Sequence, residues 1–195
     1  MSHYFSEKQT SKPKLKKISA VHRGRKFEFY TASGVFSKSK VDKGTELLVN
    51  SMQIKENSDV LDLGCGIGIV GIAAASLFKA NILMIDINDR ALELAKSNLK
   101  LNNVNAEVRK SNLYANIKEE FEAIIVNPPM KAGKRICYEI IEKATMHLKD
   151  KGSLQLVARH NKGGKDLSSK MKEVFGNVKT ISKKSGYMVY MAVKE

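Results

Sequence analysis

Residues 124–135, IIVNPPMKAGKR, place an asparagine and two of the chain's three prolines directly after an apolar run. The Asn127 side chain carries an acceptor oxygen, and a residue that precedes proline is held in an extended backbone. Pro128 and Pro129 have no N–H, so the Pro128 carbonyl has no competing amide on its own residue or the next. The stretch predicts a rigid pair of acceptors that can orient a planar NH2 group.

A second stretch, DLGCGIG, has alternating glycines after a predicted strand and before a predicted helix. These glycines, Gly64, Gly66 and Gly68, allow a tight turn and a close approach of the backbone to a ligand. Asp62 can accept a hydrogen bond from the amino group of a cationic ligand, whereas it would repel a pyrophosphate. A dinucleotide-binding G-x-G-x-x-G, ending at Gly71, is the weaker interpretation, and Cys65 in this loop is typical of a small packing residue.

Two further polar residues follow predicted strands. Asp86 ends the run NILMID, where a carboxylate can accept hydrogen bonds from both hydroxyls of a ribose. The competing interpretation is that Asp86 or Asp89 only caps the next helix. Asn112, in the run SNLY, follows the third strand, where an adenine edge would lie, and an ordinary turn asparagine fits the same position.

The elements that must position these residues alternate regularly after residue 58. Apolar runs predict strands at DVLDLG, NILMID, AEVRK, FEAIIVN and GSLQLVA, and periodicity predicts helices over 70–79, 89–101, 135–148 and 165–175. The last two strands, NVKTISKK and GYMVYMAVK, are joined by a tight turn and must be antiparallel. The pattern predicts an α/β fold with a Rossmann-like doubly wound sheet, mostly parallel, that carries an antiparallel C-terminal hairpin strand.

A single domain over residues 14–195 is predicted, in which residues 14–45 form a small N-terminal lobe on the substrate side. Alternating apolar residues around a turn at Gly24 predict a β-hairpin in this lobe. Thr45 is predicted to cap the next helix, whose buried side carries Leu47, Leu48 and Met52. Residues 1–13 are predicted to be a basic, flexible tail.

Composition narrows the classes of function. The chain has 195 residues, 43% of them hydrophobic and 28% charged, which is enough for one compact domain. The formal net charge is +14, and residues 1–45 hold 11 Lys and Arg against 3 Asp and Glu. This excess of positive charge favours a nucleic-acid partner. A solvated basic tail is the competing explanation for part of it. The absence of a signal-peptide pattern or a membrane-spanning run predicts a soluble cytoplasmic protein. Cys65 and Cys137 lack the spacing of a disulfide framework or a metal site, so both are predicted to be reduced thiols.

In order and spacing, DLGCGIG, MID, SNLY and NPPM resemble the class I S-adenosylmethionine-dependent methyltransferases. More narrowly, GVFSKSKVDKGTELLV, NPPMKAGK and the C-terminal VFGNVKTISKKSGYMVYMA resemble the small-domain methyltransferases related to the ribosomal small-subunit RNA guanine-N2 enzymes. The resemblance covers roughly residues 15 to 194. It implies S-adenosylmethionine as the cofactor, ribosomal RNA or the small ribosomal subunit as the partner, and methyl transfer to an exocyclic amine.

The resemblance also assigns roles to individual residues. Those implied to bind the cofactor are Asp62, Gly64, Cys65, Gly66, Gly68, Asp86, Ile87, Asn112, Leu113 and Asn127. Those implied to hold the target amine and its flipped-out base are Asn127, Pro128, Pro129 and Met130. Lys131, Lys134 and Arg135, just past this loop, are expected to bind RNA phosphates, with Phe36 as a further substrate contact; an ordinary basic helix start is the competing interpretation. No metal ligand is implied.

Two positions depart from the family pattern. Asn112 stands where an acidic residue is usual, and an amide can still bond an adenine edge. Met130 replaces the aromatic residue of many NPP enzymes, so a flexible thioether must meet the base. The chemistry we expect is direct in-line transfer without a covalent nucleophile, since His22 and His160 lack the partner spacing of a general base. The alternatives are a protein-glutamine or DNA-adenine methyltransferase, a non-catalytic RNA-binding factor on this scaffold and, more distantly, an NAD dehydrogenase.

Overall fold

The computed structural model describes residues 14–35 and 40–195. Its centre is a seven-stranded sheet in the order β5-β4-β3-β6-β7-β9-β8, with a separate two-stranded hairpin, β1-β2. The strands are, in chain order, β1 Lys16–His22, β2 Arg25–Thr31, β3 Asp59–Leu63, β4 Asn81–Asp86, β5 Glu107–Lys110, β6 Phe121–Val126, β7 Leu148–Arg159, β8 Lys179–Lys184 and β9 Tyr187–Val193. Strands β3 to β7 pair in parallel, and β9 is antiparallel to both β7 and β8, so the predicted fold class is confirmed. The predicted tail and Phe36 lie outside the described residues.

Within the described residues, five α-helices cover the two faces of the sheet. They are α1 Lys43–Ser51, α2 Ile69–Phe78, α3 Asp89–Leu101, α4 Lys134–Ala144 and α5 Lys165–Phe175. The hairpin, α1, α2 and α3 bury one core against the sheet, and α4 and α5 bury a second core on the opposite face. This three-layer arrangement explains why the central strands are apolar on both faces.

Helix α2 lies unusually close to strand β4 because Gly71 has no side chain. A Cβ at this position would lie 2.4 Å from the Sδ of Met84. The close approach also lets the Gly71 N–H donate to Oδ2 of Asp62 over 2.8 Å. The third glycine of the apparent dinucleotide pattern therefore serves helix packing and the fixing of a carboxylate.

The N-terminal hairpin is fastened to α3 by two asparagines one helical turn apart. Tyr30 N–H donates to Oδ1 of Asn98 over 2.6 Å, and Asn98 Nδ2 donates back to the Tyr30 carbonyl and to the Ile67 carbonyl. Asn102 makes the same reciprocal pair with the backbone of Glu28. These amides bond the open edge of β2 as a neighbouring strand would.

The structure corrects two local predictions. Helix α4 ends at Ala144 instead of continuing to Leu148, because Leu148 begins β7 and pairs with Phe121. The N-cap of α1 is Asp42, whose carboxylate accepts hydrogen bonds from the Gly44 and Thr45 N–H groups. Thr45 lies in the first turn of the helix and donates its hydroxyl to the same carboxylate.

Candidate active site

The predicted site residues from three central strands meet at one edge of the sheet. Asp62 lies opposite Met84 of β4 and Ile125 of β6, Asp86 ends β4, and Asn127 directly follows β6. All three strands are parallel, so their carboxyl ends form the edge at which ligands bind in open α/β sheets.

The glycine loop turns sharply between β3 and α2. The N–H groups of Gly64 and Cys65 both donate to the Ile85 carbonyl, over 2.9 and 2.8 Å. Gly64 has a φ of +73°, and a Cβ there would meet nothing within 4 Å, so its open side faces free space. The Cys65 side chain is buried, and burial raises the pKa of its thiol, so it packs as a neutral group.

Two buried carboxylates flank this loop. Oδ2 of Asp86 accepts from the Gly66 N–H over 2.8 Å, and its Oδ1 accepts from the Asn88 N–H over 2.9 Å. Burial raises the pKa of Asp62 to about 7 and also raises the pKa of Asp86. Within the described part of the chain, neither carboxylate forms a salt bridge with a cationic side chain. The cleft therefore suits a ligand that brings positive charge and hydroxyl donors.

Helix α3 is capped by Asn88, whose side chain accepts from the Ala91 N–H. Neither Asp86 nor Asp89 occupies the cap position, so the capping interpretation of Asp86 is wrong. The Asp86 side chain instead connects the glycine loop to the residues that precede α3, among them the half-buried Ile87. Its backbone carbonyl accepts from the Ser111 N–H over 3.1 Å, which ties the end of β4 to the SNLY turn.

The SNLY turn after β5 is closed by hydrogen bonds of its own residues. Leu113 has a φ of +50°, and its carbonyl accepts from the Ser111 hydroxyl over 2.7 Å. The Asn112 carbonyl accepts from the Ala115 N–H, while the Asn112 side chain is exposed. The backbone accounts for the turn, and the Asn112 amide stays available to an adenine edge.

The Asn127 side chain is fixed by helix α1. Its Nδ2 donates to Oδ2 of Asp42 over 3.2 Å and to Oγ1 of Thr45 over 3.0 Å. Both partners accept, which identifies the nitrogen end of the amide, and no donor among the described residues bonds to the oxygen. Residues 42 and 127 are 85 positions apart, so their contact is not visible in the local sequence pattern around either residue.

The two prolines close a tight turn after Asn127. Pro129 has φ −75° and ψ 73°, and the Met130 N–H donates to the Pro128 carbonyl over 2.8 Å. The Pro128 carbonyl therefore has a competing amide, that of Met130. The sequence prediction considered only residues 128 and 129, which lack an N–H. A carbonyl oxygen has two lone pairs, so one acceptor position remains.

Met130 is 37% exposed and packs at the base of this turn. Its Sδ lies 3.9 Å from Sγ of Cys137. A Cβ on Gly163 would lie 2.6 Å from its Cε, so the terminal methyl of Met130 packs against the backbone of the turn after β7, where Gly163 has a φ of +94°. Met130 thus touches both α4 and the turn that follows β7.

The predicted RNA-contacting residues divide into two kinds. Lys134 is paired with Asp166 over 2.9 Å and lies 5.3 Å from the ring centre of Tyr138. Lys131 and Arg135 are exposed, and the described residues offer neither of them a salt bridge. The charge available to a polyanion at this turn comes from Lys131 and Arg135.

The described ranges contain no group of three or more His, Cys, Asp or Glu side chains that could hold a metal ion. No helix within them is long and apolar enough to cross a membrane.

The profile of the methyltransferase small-domain family matches residues 26–191. The chain belongs to this family. Members of this family use S-adenosylmethionine as the cofactor. The predicted family, fold and cofactor are therefore confirmed. The two buried carboxylates fit a cofactor that carries positive charge on its sulfur and amino group.

Individual relatives agree with this assignment. The chain is 39% identical over 197 residues to the uncharacterised protein YbxB of Bacillus subtilis (strain 168), covering 98% of both chains. It is 36% identical over 166 residues to ribosomal RNA small subunit methyltransferase C of Haemophilus influenzae (strain 86-028NP), covering 83% of this chain. It spans only 49% of that methyltransferase.

Among solved structures, the T. thermophilus 16S rRNA N2 G1207 methyltransferase RsmC, in complex with AdoMet and guanosine, superimposes with a TM-score of 0.81. The alignment covers 93% of this chain and 51% of RsmC, at 24% identity. The likeness supports the small-domain methyltransferase fold.

Proposed function

We propose that this chain transfers a methyl group from S-adenosylmethionine to an exocyclic amine of RNA, guanine N2 of small-subunit ribosomal RNA. The observation that carries the proposal is the fixed amide of Asn127. Its nitrogen donates to Asp42 and Thr45, so its oxygen is the free end at the edge of the sheet. An acceptor held in this way selects a target that donates N–H.

The cofactor is held by the strands next to Asn127. S-adenosylmethionine, when bound, supplies a methyl group on a positively charged sulfur. Asp62 and the glycine loop hold the methionine part, and Asp86 accepts from the ribose hydroxyls with the lone pairs that its backbone bonds leave free. Ile87, Asn112 and Leu113 lie beside the adenosine.

The target amine is held by two acceptors. Oδ1 of Asn127 accepts one N–H, and the remaining lone pair of the Pro128 carbonyl accepts the other. With both N–H groups held, the two acceptors would orient the amine for methyl transfer, and this positioning would supply most of the rate. No nucleophilic residue is needed, which agrees with the neutral, buried Cys65 thiol.

RNA is the substrate class that charge and relatives favour together. The net charge of +14 attracts a polyanion, and the Haemophilus influenzae relative is a ribosomal RNA small subunit methyltransferase. Lys131 and Arg135 bind phosphates beside the target loop, and Met130 packs against the flipped-out base. Guanine N2 is the choice favoured by RsmC, whose structure holds guanosine.

The proposal is tested with the Asn127→Ala variant and labelled S-adenosylmethionine. Methyl transfer to small-subunit RNA falls by at least about 100-fold, because the amine loses its main acceptor. Cofactor affinity measured by calorimetry changes less than about threefold, since the carboxylates and glycine loop remain. Asn81→Ala, at the opposite end of the sheet, is the control and methylates normally. Normal methylation by Asn127→Ala would disprove the amine-holding role.

A further inference from the structure

The two halves of the sheet edge that carries the site differ in the sign of their charged side chains. The half formed by β3 and β4 carries the buried carboxylates of Asp62 and Asp86. The half formed by β6, β7 and β8 presents exposed cations, namely Lys131, Arg135, Arg159, Lys162, Lys165 and Lys184. Asn127 lies at the boundary, so a cationic cofactor and a polyanionic substrate would approach it from opposite sides.

Three strands place an arginine, a tyrosine and a lysine in one row on the basic half. Arg159 of β7 pairs with Tyr187 of β9, and Tyr187 pairs with Lys184 of β8. The Arg159 guanidinium carbon lies 5.4 Å from the centre of the Tyr187 ring. The ring also lies against the backbone of Gly44, where a Cβ would lie 3.0 Å from Cε1. The ring is therefore held between α1 and Arg159, which fixes the direction of the guanidinium.

The row continues to the target loop through the turn after β7. Gly163 of this turn packs against the terminal methyl of Met130. Lys162 precedes it and is exposed. A chain that lies along Lys184, Arg159 and Lys162 therefore reaches the residue that is placed against the target base.

The charges of this row are available to a ligand. In the described part of the chain, no carboxylate forms a salt bridge with Arg159 or Lys162. Lys184 has one distant partner, with its Nζ 4.0 Å from Oε1 of Glu46. Lys184 also lines a cleft of about 340 Å³ together with Lys43 and Glu46 of α1, so two cations and one carboxylate border a space larger than a phosphate group.

We propose that Arg159 and Lys184, on the two strands that flank Tyr187, together with Lys162 in the turn after β7, bind the phosphodiester backbone of the RNA strand next to the target nucleotide. The inference rests on the proposed function and adds the path of the substrate across β7, β9 and β8. An exposed row of cations spaced by strand pairing follows a backbone of repeated charges. An arginine on an aromatic ring also offers a flat surface to an unpaired base.

The test compares two triple variants with the same loss of charge. The first is Arg159→Gln, Lys162→Gln and Lys184→Gln. The control, at the amino-terminal ends of β3, β6 and β7, is Lys55→Gln, Lys118→Gln and Lys151→Gln, all exposed positions. The probe is a fluorescein-labelled 20-nucleotide oligouridine, followed by anisotropy at several salt concentrations. Circular dichroism verifies that both variants are folded.

The row variant is expected to bind about tenfold more weakly at 0.1 M salt, and the slope of log Kd against log salt falls by about 2, as three lost phosphate contacts require. The control keeps the slope of the unmodified protein. Equal changes in both variants, an unchanged Kd in the row variant, or equal competition by poly-glutamate of matched charge would overturn the proposal.

The assay also separates this inference from the proposed function. If oligouridine binds through the row but no RNA accepts a methyl group, the proposed function fails and the binding surface stands. If RNA is methylated and the row variant keeps both kcat and KM, the surface is wrong and the function stands.

Discussion

The hydrogen bond between Asn127 and Asp42 explains why residue 127 is an asparagine and predicts the effect of Asn127→Asp. The change replaces Nδ2, 3.2 Å from Oδ2 of Asp42, with a second carboxylate oxygen. Two unit charges at this separation repel each other by about 5 kcal/mol at an effective dielectric constant of about 20. Taking up a proton at pH 7.5 from an ordinary carboxylate pKa of about 3.9 costs about the same.

The introduced carboxylate is therefore expected to turn away from Asp42. Position 127 is only half-buried, so the side chain has room to turn. A displacement of about 1 Å at the amine-holding group lowers the rate by about 100-fold. The reciprocal variant, Asp42→Asn with Asn127→Asp, restores a donor and an acceptor. Asparagine at position 42 keeps the bond from the Gly44 N–H but loses those that Thr45 donates to Oδ2, so the recovery is partial and kcat rises by about tenfold.

The assay is methyl transfer to small-subunit RNA at saturating substrate, and Asp42→Asn alone, with a smaller loss than Asn127→Asp, completes the double-mutant cycle. Urea unfolding gives a readout that needs no substrate. The pair of carboxylates holds a proton more tightly in the folded state, so the stability lost by Asn127→Asp is greater at pH 8 than at pH 5.5. A fully active Asn127→Asp, or a reciprocal variant no faster than Asn127→Asp, would refute the reasoning.

Three further outcomes follow. Asn98→Ala lowers the free energy of unfolding by about 3 kcal/mol, because it leaves the buried Ile67 carbonyl and the part-buried backbone N–H and C=O of Tyr30 without their partner. The half-buried Asn102→Ala loses less, and equal losses in urea unfolding would contradict this. Burial lowers the pKa of His22, so the unfolded chain takes up its proton first and stability falls below about pH 6.5, by up to about 1.4 kcal/mol per unit. His22→Leu is expected to remove this dependence of the unfolding free energy on pH between pH 7.5 and 5.5. An unchanged dependence would show that His22 is not its cause. Because the pKa of Asp62 is about 7, its carboxylate is mostly protonated at pH 6, and S-adenosylmethionine is expected to bind about tenfold more weakly at pH 6 than at pH 8. Calorimetry on Asp62→Asn, compared with the unmodified chain, tests this: the variant is expected to lose the dependence on pH, and a variant that keeps it would contradict the prediction.

The sequence predicted those elements whose pattern is local. Helix α5 was expected over 165–175 and spans those residues, because its periodic apolar side and its flanking glycines are all nearby in the chain. The end of α4 could not be predicted in this way. Leu148 continues the helical spacing of Ile141 and Thr145, and only its pairing with Phe121 in the sheet makes it a strand residue.

The candidate site shows the same division. The order of strands placed Asp62, Asp86 and Asn127 at one edge, since each follows or ends an apolar run. The contact of Asn127 with α1 was not predictable, because Asp42 and Thr45 are both good capping residues and local sequence does not choose between them. An aspartate three residues before a threonine at a helix start was the one available signal.

The basic row of Arg159, Tyr187 and Lys184 was also hidden in the sequence. Its members come from three strands, and only the antiparallel register of β9 brings them together. Net charge indicated a polyanionic partner but not the face that meets it.

The central claim is tested most directly by identifying the product. Purified small ribosomal subunits and naked small-subunit RNA are incubated with the chain and labelled S-adenosylmethionine, and the RNA is digested and analysed by mass spectrometry. The account predicts label on the N2 amine of a guanosine and no product with Asn127→Ala. Label on adenine or on protein, or no transfer to either RNA substrate, would contradict it.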